Sequence, residues 1–502
     1  MKKNDPVSRD TIAIQGWLRP ALTPVLGNRD YDRFAQELGA VDALIRESAL
    51  EDLAVEFALE GLDGSATARQ RRGKAEFALF ALRSEILRHL LGVPGFVAYS
   101  STLASSELLS DFCGCRSVAG VRWTSKSTLQ RASSLFSDEQ LRSLNELLVQ
   151  TAGHSDYCRF LGMGKAADLS VCLIDSTCLE ANIHFPVDWV LLRDVSRTLL
   201  KAVKLIRRRG LANRMAVTPE RLAREMNKLC IEMTHSGRKP GSRKTRKNVL
   251  RRMKRLLRKV GRHARRHRDL LEERFAETDL SRAQADRVVA RVDQMLALIP
   301  EVARQAHERI IGGRPVASKD KVLSAHEPDI EVVVRGKAGA SVEFGNQLLL
   351  AESPGGLVVD YWLYGKGAPG EGEKMQESLK RQQALEVDDE LEAVVGDRGF
   401  DGRKHARFLE EEGVESMICP KSPDTLRERL SDPEFSRWQR RRGSTEARIA
   451  IVKNHGCGRV WRAKGLDSRR AAVGWSVLQH NLLWVARQAS LQKQQQAPPK
   501  AA

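Results

Sequence analysis

Apolar residues in the first 150 positions recur every three to four places. Asp52–Leu62 (DLAVEFALEGL) and Lys74–Leu91 (KAEFALFALRSEILRHLL) carry such stripes, the pattern of helices that bury one face. Three shorter helical runs follow: LASSELLSDFCG, closed by Gly114; SKSTLQRASSLF, opening at Ser125; and SDEQLRSLNELLVQ, begun by a Ser137–Gln140 capping box. Then the period changes. Val171–Thr177 (VCLIDST) is an apolar run of strand length with an acid near its end, and Leu391–Phe400 (LEAVVGDRGF) repeats that grammar. Ile330–Lys337, Glu343–Ala351 and Gly356–Tyr364 read as further strands, with Ser353–Gly356 as a hairpin turn.

Helix signals fill the remainder. Asp188 is a natural N-cap for Trp189–Arg208, Thr218-Pro219 opens a second helix, and Ser281–Gln284 opens a third, closed by Gly312-Gly313. Glu373–Ala384 and Arg403–Glu412 read as helices and Ser416–Pro420 as a short strand. Asp424–Arg441 reads as a polar loop, Ser444 as the N-cap of the next helix, and Arg470–Gln488 as a last amphipathic helix. The tail from Leu491 is low-complexity, the composition of a disordered end. The fold class is α/β.

A chain of 502 residues holds more than one domain. The predicted layout is a helical N-terminal domain (1–165), a first core strand (166–188), a helical insertion (189–328), the rest of the core (329–488) and a tail (489–502). A net charge of +19 points to a polyanionic partner, the alternative being an ordinary basic enzyme. The charge clusters: about half the residues of Gly237–Arg268 are Lys or Arg, with no acid before Asp269. From Val249 on, Val249, Leu250, Met253, Leu256, Leu257 and Val260 form an apolar stripe and the rest of the circumference is basic. Such a helix offers Arg251, Arg252, Arg255 and Arg258 to phosphates; a solvated charge face and a membrane surface are the other readings. The short helices around Lys126, Gln130 and Arg131 allow either a helix-turn-helix-like DNA reader or a plain packing domain. The 8 cysteines lack a CxxC pair and read as reduced thiols of a cytosolic protein. No apolar run reaches the ~20 residues of a membrane span, and the N-terminus lacks a signal-peptide core.

An ionised carboxylate in an apolar strand is costly unless paired, hydrogen-bonded or metal-bound. Asp175 therefore either bonds a turn at its strand end or serves a site. Asp397 closes the second such strand. With Ser444 as N-cap, Glu446 falls in a first helical turn; were the turn before it also helical, Arg442, Glu446 and Lys453 would share one face. Three oxygen ligands with open positions suit magnesium or manganese.

LIDST around Asp175, GDRGF around Asp397 and Arg442-x3-Glu446-x6-Lys453, in that order, resemble the DDE transposases of bacterial insertion sequences. The last spacing is that family's Y-x2-R-x3-E-x6-K signature, with Gln439 standing where the family has tyrosine. NIHFPVD (Asn182–Asp188) and VEFGNQLLL (Val342–Leu350) resemble the subgroup with a helical insert after the first core strand. The resemblance spans roughly Ser105 to Arg487. It implies an RNase H-like core, a mixed sheet flanked by helices, with an all-α N-terminal domain that binds the element's ends and a large basic all-α insertion. The first strand would be central, the Asp397 strand parallel beside it, and the Glu446 helix across the same edge. It implies catalysis by Asp175, Asp397 and Glu446 holding two Mg²⁺ ions (or Mn²⁺ in their place) about 4 Å apart, with Asp175 bridging. The reaction would be cleavage at transposon ends and strand transfer into target DNA. The implied partners are double-stranded DNA, both terminal inverted repeats and target, and a second copy in a homodimer, in the cytoplasm at the nucleoid.

Arg442 and Lys453 would grip end phosphates; the alternatives are a salt bridge from Arg442 to Glu446 and an exposed helix lysine at Lys453. Arg398 either grips DNA or locks its own loop. Asp188 reads as a structural cap rather than a fourth ligand, Asp401 as a helix cap, and His184 and His455 as structural or surface residues. A metal-dependent nuclease that does not join, and a non-catalytic DNA-binding relative, are the competing functions.

Overall fold

The computed structural model describes residues 29–117, 120–238, 241–337, 340–456 and 463–496. They form two compact units, one of Met1–Leu179, Gln347–Tyr364 and Ala368–Ala502, the other of Glu180–Asn346 with Gly365–Gly367.

The first unit begins with α1 (Arg29–Glu47), α2 (Leu50–Glu60), α3 (Ala68–Leu90), α4 (Phe96–Ser105) and α5 (Glu107–Phe112). A two-strand ribbon, β1 (Arg116–Ser117) and β2 (Gly120–Val121), leads to α6 (Lys126–Ala132) and α7 (Asp138–Gly153). Ser125 caps α6, and the Ser137–Gln140 capping box opens α7 as expected. The run LASSELLSDFCG is not one helix. Ser106 is extended (φ −128°, ψ 119°) and its side chain accepts from the Leu109 N–H, so α4 ends there and α5 starts. A serine hydroxyl that can bond the local backbone competes with helix continuation. β3 (Val171–Glu180) follows.

The second unit is led by α8 (Asp188–Arg208), α9 (Pro219–His235), α10 (Ser242–Arg274) and α11 (Arg282–His307). Thr218 with Pro219, and the Ser281–Gln284 box, start α9 and α11 as their sequences predict. The apolar stripe of α10 from Val249 to Val260 is buried with Leu192, Leu199, Met226 and Met295 in one core. Asp188 does not cap α8. Val187 is the cap, and the Asp188 carboxylate is buried, accepting from Gln305 Nε2 at 2.9 Å and Arg309 at 3.0 Å. Its role is structural, exercised across helices, because a buried carboxylate needs partners. β4 (Glu331–Lys337) pairs antiparallel with the start of β5 (Ala340–Glu352), Glu331 facing Gly345.

The chain then completes the first unit with β6 (Val358–Leu363), α12 (Glu371–Gln383), β7 (Ala393–Gly396), α13 (Arg403–Glu411) and β8 (Glu415–Ile418). The last helices are α14 (Pro423–Arg429), α15 (Pro433–Ile451) and α16 (Leu466–Gln496). Asp424–Arg441 is thus helical, not a loop. Ser422 and Asp432 cap α14 and α15, each with proline at the first turn, a start signal masked by the polarity of the stretch. Ser444 consequently lies inside α15. α16 is helical to Gln496, past the start of the low-complexity tail; the tail's remainder lies outside the described residues.

The sheet is mixed and flanked by helices. Its order is β5-β3-β7-β8, with β6 also on β5; β3, β7 and β8 run parallel, and β5 and β6 antiparallel. The pleat sorts side chains by parity. Cys172 and Ile174 of β3 join Met375, Leu379 and Leu409 of α12 and α13; Val171 and Leu173 join Val395, Met417 and Phe435 of α15. A larger core gathers α1–α3, α7 and Trp475, Leu478, Leu482 and Val485 of α16.

The hairpin between β5 and β6 is clasped from α16. Buried His480 donates from Nε2 to the Gly356 carbonyl at 3.1 Å, and Trp484 to the Gly355 carbonyl at 2.8 Å. Burial, helped by the Arg448 guanidinium, lowers the His480 pKa to about 4. An unfolded histidine titrates near ~6.5, so the stability from burying the neutral ring is present above that pH and lost as pH falls toward 4. Full titration is worth about 3 kcal/mol. His480→Gln is therefore expected to flatten the loss of stability between pH 6.5 and 4 in denaturant melts; an unchanged slope would contradict the assignment.

Among the described residues no helix is long and apolar enough to cross a membrane.

Candidate functional site

The parallel ladder of β3 and β7 pairs Val171 with Ala393, Cys172 with Val394 and Leu173 with Val395. Asp175 stands two residues further along β3, and Asp397 is the first residue after β7. The parallel register brings the two acids to neighbouring positions, and by parity Asp175 follows Leu173 onto the α15 side. α15 carries Glu446 on that side. Since α15 is continuous from Pro433, Arg442 and Glu446 are one helical turn apart, and Arg442 donates to the Glu446 carboxylate at 3.2 Å. The salt-bridge reading of Arg442 is the one seen.

Electrostatics ties the three acids together. The Asp175 carboxyl is pushed up to about 6, first by burial, with the charges of Asp397 and Glu446 adding to the rise. The Ser176 N–H, donating at 2.7 Å, and Arg442 oppose it. Asp397 accepts from the Gly399 N–H at 2.8 Å. This donor set, three carboxylates whose mutual repulsion a cation would relieve, fits a hard divalent ion in its chemistry. The fit is not closed: among the described residues no three Asp, Glu, His or Cys side chains stand close enough to share one ion. Glu446 is turned to Arg442 with 62% of its side chain exposed, so closing the set requires a rotamer change there.

Lys453 lies in the π-turn Val452–Gly456 that ends α15, and its ammonium donates to the Cys178 carbonyl of β3 at 2.7 Å. It is half-buried, neither an exposed helix lysine nor, in this rotamer, a free phosphate ligand. Gln439 donates to the Met417 carbonyl of β8 at 2.6 Å. Arg398 is exposed beside Asp397. Asp401 does not cap α13; its carboxylate accepts from the Lys421 N–H at 2.8 Å, and the cap residue is Gly402. Lys126 and Arg131 are exposed on α6, with Arg131 5.8 Å from the Phe77 ring. In the second unit, Arg251, Arg252, Arg255 and Arg258 are all exposed on α10, and Arg252 meets Glu232 at 3.3 Å. His184 pairs with Asp194 at 2.8 Å; the His455 side chain lies outside the described residues. The seven described cysteines are free thiols.

Sequence patterning alone does not single out Glu352. Fully buried at the end of β5, it accepts from Arg441 at 3.2 Å, Thr445 at 2.8 Å and Arg448 at 2.9 Å, all on α15. A signal for it does exist: QLLLAES is another apolar strand closed by an acid. Comparison of the chain with known protein families, curated proteins and solved structures finds no match to any of them.

Proposed function

We propose that this chain is a DDE transposase with an RNase H-like core, which cuts DNA at the ends of a mobile element and joins the freed 3′ end to target DNA. The reading is carried by one observation: Asp175 in β3 and Asp397, directly after the neighbouring parallel β7, lie near enough to Glu446 of α15 that Asp175 feels the charge of both. Asp175, Asp397 and Glu446 would hold magnesium, or manganese in its place, which when bound supplies an activated oxygen nucleophile and neutralises the leaving oxygen. The chain's own residues supply the rest. Arg442 restrains Glu446 in the absence of DNA and has further N–H groups for a phosphate. Arg398, exposed next to Asp397, supports a second phosphate contact. The exposed arginines of α10 suit the DNA backbone, and Lys126 and Arg131 on α6 suit the element's ends. Two copies would act on two ends.

The test uses duplexes carrying the repeats that flank the coding region, with Mg²⁺, and scores nicked and joined products. Asp175→Ala, Asp397→Ala and Glu446→Ala are each expected to lower nicking by about a thousandfold or more. Unchanged nicking in one of them removes that residue from the site. Nicking without joined product by the wild type makes the protein a nuclease, and end binding without nicking makes it a non-catalytic relative.

A further inference from the structure

α15 brings the third acid to the sheet, and a helix lying on a sheet is free to rotate about its axis unless something fixes it. The buried contacts of Glu352 do this. Both its oxygens are engaged, Oε1 by Arg441 and Thr445 and Oε2 by Arg448. Round the helix, Thr445, Arg441 and Arg448 stand about 100°, 140° and 160° from Glu446, all in the same direction. The carboxylate thus holds the back of α15 and leaves Glu446 on the opposite side. Arg441 also donates to the Pro354 carbonyl at 2.8 Å, so the grip extends into the hairpin turn. Gln439 to β8 and Lys453 to β3 fix the same helix at two further points. Those two bonds are to backbone carbonyls; Glu352 alone among the three anchors is a buried charge with two arginines committed to it, so its removal leaves both without their acid.

We infer that Glu352 is a positioning residue, setting the rotation of α15 so that Glu446 faces Asp175 and Asp397. Its catalytic consequence rests on the transposase reading; its geometric consequence does not. Two readouts separate them, both on the full-length chain. The first is the rate at which a short bismaleimide joins cysteines introduced as Asp175→Cys and Glu446→Cys, measured on the folded fraction. The second is Mg²⁺-dependent nicking as a function of metal concentration. Glu352→Gln is expected to slow the cross-link about tenfold and to lower nicking about a hundredfold, with more metal needed for half-maximal rate. Thr445→Val, which removes one hydroxyl bond to the same carboxylate, is expected to shift both in the same direction by a smaller factor, and is read in place of Glu352→Gln should that variant not fold. A role in stability alone would lower the melting temperature and leave the cross-linking rate unchanged, and that result overturns the inference. A slowed cross-link in a protein that never nicks DNA upholds the positioning role and sinks the transposase reading instead.

Discussion

Asp175→Asn will make the protein more stable at neutral pH and, on the proposed transposase reading, abolish DNA cleavage. The carboxyl titrates near 6 in the fold against an ordinary 3.8, because burial and the neighbouring acids disfavour its charge. A folded pKa raised above the unfolded one contributes stability that is present below the unfolded value and lost as pH rises through the folded value. At pH 7 the ionised side chain therefore costs about 3 kcal/mol, an upper bound that asparagine removes. The gain should be absent below pH 4, grow between pH 4 and pH 6, and be complete above it. Thermal melts across that range check it, and a gain independent of pH would refute it. Added Mg²⁺ should stabilise the wild type, since an ion that binds only the folded chain shifts its equilibrium, and should leave the variant unchanged. Stability given up at neutral pH is the expected mark of a site that waits for a cation.

On the same proposal, neutralising Arg251, Arg252, Arg255 and Arg258 to glutamine will weaken DNA binding and flatten its salt dependence. The four lie outside the buried stripe of α10, so the helix keeps its packing. Among the described residues the one ion pair broken, Arg252 with Glu232, is exposed and worth less than about 1 kcal/mol. Every phosphate that an arginine ceases to neutralise takes about 0.9 off the slope of log K against log salt, so a full set of four lowers it by about 3 to 4. Binding isotherms from low to physiological salt read this directly. A slope unchanged from the wild type would mean that this face meets solvent rather than phosphate.

Local features carry far in this protein. The serine and threonine caps expected at Ser125, Ser137, Thr218 and Ser281 all hold, because a hydroxyl and the N–H three residues on are decided within one turn. The buried stripe of α10 and the apolar runs that become β3 and β7 are legible for a similar reason, since periodicity records which face meets a core, although β3 continues past Asp175 to Glu180 rather than ending near it. The departures are also local in origin. Ser106 interrupts a helix that its apolar neighbours favour, and the prolines at 423 and 433 start helices inside a stretch whose polarity suggests a loop.

What the chain order does not decide is what meets what. Asp188 has the position of a cap and is a buried acceptor for Gln305 and Arg309; Lys453 has the spacing of an exposed lysine and holds a carbonyl of β3; Glu352 closes an apolar strand as Asp397 does, yet fastens α15. Each depends on a partner far along the chain, and side-chain type alone does not name a partner. The sequence by itself determined most of the helices and strands and put forward Asp175, Asp397 and Glu446 as candidate acids. Only the tertiary structure decided the register of β3 on β7, Leu173 opposite Val395, and which side of α15 faces them, because strand register and helix rotation are chosen by packing between distant segments.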